Sequence, residues 1–468
     1  MISPIKTITL VDGVKVCVPS SLELISSYVL EEQLDWFENE IKFIRKIIHT
    51  GNQVIDIGAN YGVYTLSIAK LIGTSGKVYS FEPATETAEI LLKSLQINNF
   101  DNVIVEKNGI SKEVGMANLS LNKNSELNSL LKNTASLERS ELIKITTLDE
   151  CMKRFDWERI DFIKIDAEGE EENIIQGGIN FFNLNSPLVM FEVKAGDQVN
   201  LDLVRQFELL GYSSFKLIPG LNILAPLKKN EIVDDYQLNL FCCKSDTAKR
   251  LFDQDVLIFD DIDVSETTAL INIAIKKIES DMLSYNHCTF NLPYTKQFQD
   301  IWRVNLSQFD PLLIRSLAFY QESKTAKVAC DKYHYLSLAF KSIDSLCKLD
   351  SGHLRLSTFA RIAHELGHRV AAVNALDILI KNIIRTKTIQ LGEPFLLPSE
   401  DYETLDPQEH TIKFVWSALL SSLEKIQYFS SFYAGNSSLE RLNAIIGTGF
   451  FDDEIIRRRD LIIKRYSA

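Results

Sequence analysis

From about residue 50 to 245, short β-branched runs alternate with helical stretches. That alternation confines this part of the chain to a parallel sheet covered by helices. The candidate strands are QVIDIG, KVYSFEP, NVIVEK, DFIKID, PLVMFEV, SSFKLI and NLFCCK. Ahead of them, ITLVDGVKVCVP reads as a hairpin turning at Asp12-Gly13. Between the third and fourth core strands, ANLSLNKNSELNSLLKNTASLERSELIKITTLDEC reads as an added hairpin whose Asn/Ser-rich tip is a surface loop or a mobile lid. Beyond residue 245 the strand signal fades into amphipathic helical patterns such as TALINIAIKKIESDML and EIIRRRDLIIKRYS. The expected organisation is an α/β domain over residues 1–245 and an all-α domain over 246–468.

Length and composition suit this reading: 468 residues with 46% hydrophobic content fill two or three packed domains. The formal charge of −13 sets a net repulsion against any polyphosphate, and no basic patch relieves it, so a nucleic-acid partner is not expected. Cys17, Cys151, Cys242, Cys243, Cys288, Cys330 and Cys347 form no CxxC pair, which suits reduced thiols in a cytosol. The N-terminal stretch MISPIKTITLVDGVKVCVPS lacks a basic segment followed by an apolar core, and no apolar run reaches membrane-spanning length. A cytoplasmic protein is expected.

HELGH, residues 364–368, matches the zinc-protease pattern, in which two histidines four apart share a helical face. A second reading competes with it. Leu356, Phe359, Ala360, Ala363, Gly367, Ala372, Leu376 and Leu379 fall at the offsets where tetratricopeptide (TPR) repeats place their packing residues, with YHYLSLAFKSIDSL as the second helix of an earlier repeat. In that register Gly367 ends the first helix and His368 leaves the face of His364. The third ligand of the extended pattern is also missing, since Ala371 and Asn374 stand where Gly and His would be needed. The expectation is repeat packing without a metal.

VIDIGANYGVYT, residues 54–65, carries more chemistry. An apolar strand runs into Asp56, then a turn with Gly58 and Gly62, then a helix beginning near Tyr61 to Thr65. Glycines let the backbone approach a ligand closely, and an acid at a strand end accepts hydrogen bonds from its polar groups. A tight turn that binds nothing is the bland alternative. KVYSFEP adds Glu82 at the end of the next strand, where nucleotide-binding sheets place the acid that grips two ribose hydroxyls. A dinucleotide is disfavoured, because Asn60 stands in place of the middle glycine of GxGxxG.

At this point the sequence resembles the class I S-adenosylmethionine-dependent methyltransferases, and within them the FkbM family, through VIDIGANYGVYT, VYSFEP, TTLDEC, IDFIKIDAEGEEENIIQGG and PLVMFEV. WFENEIKFIRKII looks like the family's lead-in helix. The resemblance covers residues 9 to 245 and leaves the helical half untouched. It implies a seven-stranded Rossmann-like sheet whose last strand, NLFCCK, is antiparallel. It also implies transfer of a methyl group from S-adenosylmethionine to oxygen. Carried over by position, Gly58 to Gly62, including Asn60 and Tyr61, would line the methionine part and Glu82 the ribose. Asn108 to Ser111, including Gly109, would border the adenine.

A hydroxyl acceptor benefits from a base. The first 286 residues contain only His49, which precedes the first core strand and so belongs to the far end of the sheet. The carboxylates at the correct end are Asp166, Glu168 and Glu192. Asp166 or Glu168 is expected to take the proton or orient the acceptor, directly or through a divalent cation such as magnesium. Glu170, Glu171 and Glu172 read as first-turn acids favoured by the helix dipole, and for Asp166 N-capping stays open beside function. The expected acceptor is a hydroxyl on a sugar, glycan or secondary metabolite; a peptide or protein partner presented by the helical part remains an alternative. Two other readings are a methyltransferase-like scaffold without catalysis and a nicotinamide-dependent oxidoreductase.

Overall fold

The computed structural model describes residues 4–122, 125, 129–130, 140–195, 198–199, 201–229, 231–259, 292–305, 308–352 and 354–467. These divide into two compact units. The first comprises Met1–Leu217, Leu224–Leu257 and Ser467–Ala468; the second comprises Ile218–Ile223 and Ile258–Tyr466.

In chain order the α/β part runs β1 (Ile5–Thr9), β2 (Lys15–Pro19), α1 (Ile25–Gln33), α2 (Asn39–Ile47), β3 (Gln53–Ile57), α3 (Val63–Ile72), β4 (Lys77–Phe81), α4 (Thr85–Asn98) and β5 (Val103–Glu106). It continues with β6 (Asn108–Ile110), β7 (Gly115–Ser120), β8 (Ser129–Leu130), β9 (Ser140–Thr146), α5 (Leu148–Phe155), β10 (Phe162–Ile165), α6 (Glu171–Gln176), α7 (Ile179–Leu184) and β11 (Leu188–Glu192). Then follow β12 (Lys194–Ala195), β13 (Gln198–Val199), α8 (Asp202–Leu209), β14 (Ser213–Ile218), β15 (Ile223–Pro226), β16 (Asn239–Cys243) and α9 (Ser245–Asp253). The main sheet has the order β15-β14-β16-β11-β10-β3-β4-β5. All seven strands read from the sequence are in it, and β16, the NLFCCK segment, is antiparallel to both neighbours as expected. The count corrects to eight. The extra strand β15 is four residues long and ends in Pro226 at the sheet's edge, where a residue without an N–H is tolerated.

Residue alternation sorts the sheet into two buried faces. Val54, Phe162, Met190 and Phe241 pack with Phe43, Ile44, Ile68 and Leu251 from α2, α3 and α9. Their neighbours Ile55, Ile163, Val189 and Leu240 point the other way, against Leu148, Ile174, Phe181 and Phe207 from α5 to α8. Burial of each such side chain contributes about 1.5 to 3 kcal/mol, which fixes the register, because a one-residue slip would exchange the two faces. Local signals agree with this packing. Thr147 caps α5 by accepting the Glu150 N–H at 3.1 Å, and Gly13 turns the β1–β2 hairpin with φ 81°. The inserted hairpin forms a four-stranded sheet, β6-β9-β7-β8; most of its Asn/Ser-rich tip lies outside the described residues.

The second unit is helical, with Pro311–Thr325, Ala329–Leu349, Arg355–Glu365, Arg369–Thr386, Thr411–Gln427, Leu439–Thr448 and Asp453–Tyr466 as its longer helices. The TALINIAIKKIESDML segment lies outside the described residues. The HELGH stretch ends a helix. Gly367 takes φ 87°, the His368 N–H bonds the Ala363 carbonyl at 2.8 Å and the Gly367 N–H bonds that of His364 at 3.0 Å. This is a Schellman turn, so His368 starts the next helix rather than extending the first. Glu365 is engaged elsewhere: it accepts the Tyr320 hydroxyl at 2.7 Å and pairs with Lys324 and Arg361. Among the described residues, no helix is long and apolar enough to cross a membrane.

Candidate active site

Three strand ends, those of β3, β4 and β10, bring together Asp56, the Gly58–Gly62 turn, Glu82 and Asp166. After β3 the chain turns through Gly58 (φ 76°), Asn60 (φ 48°) and Gly62 (φ 88°) into α3. Gly58 has no alternative here, because a Cβ would lie 1.7 Å from the Asp166 carbonyl oxygen. The glycine turn and the KIDAEGE loop are therefore packed backbone to backbone. Tyr61 places its ring in the apolar core beside the β1–β2 hairpin, so it can serve a ligand only through its backbone.

Asp56 is buried beneath the turn. Its Oδ2 accepts the Thr65 hydroxyl at 2.6 Å, while Oδ1 has no hydrogen-bond partner. Burial raises its pKa against the counter-pull of Lys164. One strand over, Glu82 follows β4 and accepts two backbone N–H groups, from Asn60 and Ala84, each at 2.9 Å. Burial outweighs those bonds and pushes its pKa up to about 7. A ligand hydroxyl offered to Glu82, and a donor offered to Asp56 Oδ1, would complete both carboxylates. These residues thus fit an adenosyl group that presents hydroxyl and amine donors. Asn108 and Gly109 lie after β5; Asn108 Nδ2 donates to Glu106 Oε2 at 2.9 Å, and Gly109 backs onto Ile143 and Ile145.

The end of β10 collects charge. Lys164 is opposite Asp56 in the parallel register, is only 4% exposed, and pairs with Asp166 at 2.7 Å. Burial works against its charge, but Asp166, Asp56 and Glu38 together hold its pKa above the usual lysine value. Its ammonium also lies 5.3 Å from the Tyr64 ring, and the Tyr64 hydroxyl donates to Glu38 Oε2 at 2.6 Å. Lys164, Tyr64 and Glu38 escaped the sequence reading. The available signal was a single lysine inside the otherwise apolar strand FIKI.

Beyond Asp166 the loop is bent by Glu168, which takes the left-handed φ of 49°, and Gly169 (φ 94°). Glu171 folds back to accept the Ala167 and Gly169 N–H groups at 3.0 Å. Glu170 accepts from Ser111 and Asn173, both at 2.9 Å. Glu170 and Glu171 therefore shape the loop, consistent with a structural reading. Asp166, Glu168 and Glu192 converge: one carboxylate oxygen from each lies within 4.8 Å of the others. Burial, then the neighbouring Asp166, Glu168, Glu171 and Glu38, push the pKa of Glu192 up from the usual carboxylate range. Among the described residues, Asp166, Glu168 and Glu192 could hold a cation.

In an open, mostly parallel sheet, a glycine turn after the central strand and an acid after the next stand where such sheets bind ligands, beyond the carboxyl ends of their strands. Residues 56–214 match the family model described as the methyltransferase FkbM domain. Among solved structures, the chain is similar to the methyltransferase FkbM from Methylobacillus flagellatus, with 15% identity over 41% of this chain and 43% of that one and a TM-score of 0.29. It is also similar to an rRNA methylase from Streptococcus thermophilus, with 11% identity over 44% and 93% and a TM-score of 0.25. A third is the fibrillarin of Aeropyrum pernix in complex with S-adenosyl-L-methionine, with 11% identity over 51% and 93% and a TM-score of 0.28. No curated protein matches the chain.

Proposed function

We propose that the protein transfers the methyl group of S-adenosylmethionine to a hydroxyl oxygen, on a sugar of a glycan or on a secondary metabolite. The observation that carries this reading is the adjacency of two unlike halves: the Gly58 turn with Glu82, suited to a nucleoside, and the Asp166–Glu168–Glu192 carboxylates, suited to an acceptor. In this reading the Gly58–Gly62 backbone and Asp56 hold the methionine part, Glu82 takes the ribose hydroxyls, and Asn108 and Gly109 border the adenine.

The cofactor brings an already electrophilic methyl, so the protein's task is to hold the acceptor oxygen in line and receive its proton. As the oxygen–carbon bond forms and the sulfur–carbon bond breaks, Asp166 or Glu168 accepts the hydroxyl proton, directly or through a cation. Lys164, fixed on Asp166, keeps that carboxylate in place. Carboxylates around the acceptor favour a neutral polyol over a nucleic acid, whose phosphates they would repel. The described cysteines are free thiols, which supports a cytoplasmic setting. Incubating the protein with S-adenosylmethionine and a panel of glycans, followed by mass spectrometry, tests the reading. Addition of one methyl to a glycan hydroxyl is expected; transfer only to an RNA or to a nitrogen atom would overturn it.

A further inference from the structure

We propose that Asp166, Glu168, Glu192 and the side-chain amide of Asn239 form a binding site for one divalent cation of the magnesium, manganese or calcium type. Strand register places Glu192 and Asn239 side by side. On the face that meets α2, α3 and α9, one row across the sheet reads Asp56, Lys164, Met190, Phe241. Two residues further along each strand, the row reads Asp166, Glu192, Asn239, with Glu192 directly paired to Asn239 in the antiparallel ladder. Directly paired residues share a face and lie side by side, so Asn239 stands next to Glu192 on the face that carries Asp166.

Asn239 is an independent sign of a missing ligand. It is 3% exposed, and its Nδ2 has no hydrogen-bond partner. A buried amide atom without a partner costs about 1 to 3 kcal/mol unless something completes it. The two ends of an amide are interchangeable by a half-turn of the side chain, so the same position can present Oδ1 to an ion. Oxygens sharing one ion at about 2.4 Å are at most about 4.8 Å apart, which is the limit within which the three carboxylate oxygens lie. Carboxylate and amide oxygens are also the donors that hard cations select.

Charge points the same way. The Lys164 ammonium is engaged with one oxygen of Asp166, at 2.7 Å. It meets the charges of Asp166, Asp56 and Glu38, while the Asp166, Glu168 and Glu192 carboxyls crowd one another, an excess of acidic groups over cations that a divalent ion would balance. An ion held here would bring an acceptor hydroxyl to the carboxylates and lower its pKa. That catalytic role rests on the proposed methyl transfer, whereas binding of the ion does not.

The test uses manganese(II) alone with the full chain, free manganese being followed by electron paramagnetic resonance. One ion per chain is expected, displaced by magnesium or calcium. Glu192→Gln, a neutral isostere, should retain the native circular dichroism spectrum and lose manganese affinity by at least about tenfold, with Asn239→Ala losing a smaller factor. Wild-type protein with native circular dichroism that takes up no manganese at millimolar concentration would overturn the site, and so would unchanged uptake by Asp166→Asn/Glu192→Gln. S-adenosylmethionine binding, titrated separately without metal, reports on the cofactor reading independently, so the two failures are distinguishable.

Discussion

Glu82 and Asp166 are both carboxylates at strand ends, and their surroundings give them different work. Glu82 is buried with two backbone donors and a pKa near 7, above the value of about 4.5 expected when unfolded. A carboxyl raised on folding favours the native state at low pH, and that contribution disappears as pH rises from about 4.5 through 7. Ribose hydroxyls need the ionised form as acceptor, so binding below pH 7 must expel a proton. S-adenosylmethionine affinity measured by calorimetry should be flat above about pH 7.5 and weaken towards pH 5, and Glu82→Gln should bind more weakly without that pH dependence. Asp166, by contrast, is partly open and paired to Lys164. With an acceptor in hand, Asp166→Asn or Glu168→Gln should lower turnover about a hundredfold while cofactor affinity stays within a factor of a few. Unchanged turnover in both would leave positioning alone as the source of rate.

At the scale of elements, what the sequence could disclose followed the range of the interactions. The Gly58 turn, the seven strands and the α5 cap are local, and each is visible within a dozen residues. Lys164 was hidden because one lysine in an apolar strand has no signature until Asp56 and Asp166 are brought to it from neighbouring strand ends. Asn239 was hidden for a similar reason: its pairing with Glu192 depends on β16 entering the sheet between β11 and β14. β15 was too short and too proline-marked to read as a strand. HELGH shows the opposite case, a local match overruled by local geometry. Because Gly367 ends the helix and Glu365 is bound to Tyr320, Lys324 and Arg361, replacing His364 and His368 together should leave the zinc content unchanged. Elemental analysis of protein purified without added metal checks this, and stoichiometric zinc lost on the double replacement would contradict it.

For the whole molecule, the FkbM domain match occupies residues 56–214, and the helical unit stands outside it. The central claim is a nucleoside site shared by the Gly58 turn and Glu82, and isothermal titration of the full chain with S-adenosylmethionine tests it most directly. Saturable binding at one site is expected, with Glu82→Ala weaker by roughly 1 to 3 kcal/mol, the range for losing charged hydrogen bonds to a buried partner. A folded wild type that binds no S-adenosylmethionine, or equal affinity in Glu82→Ala, would contradict it.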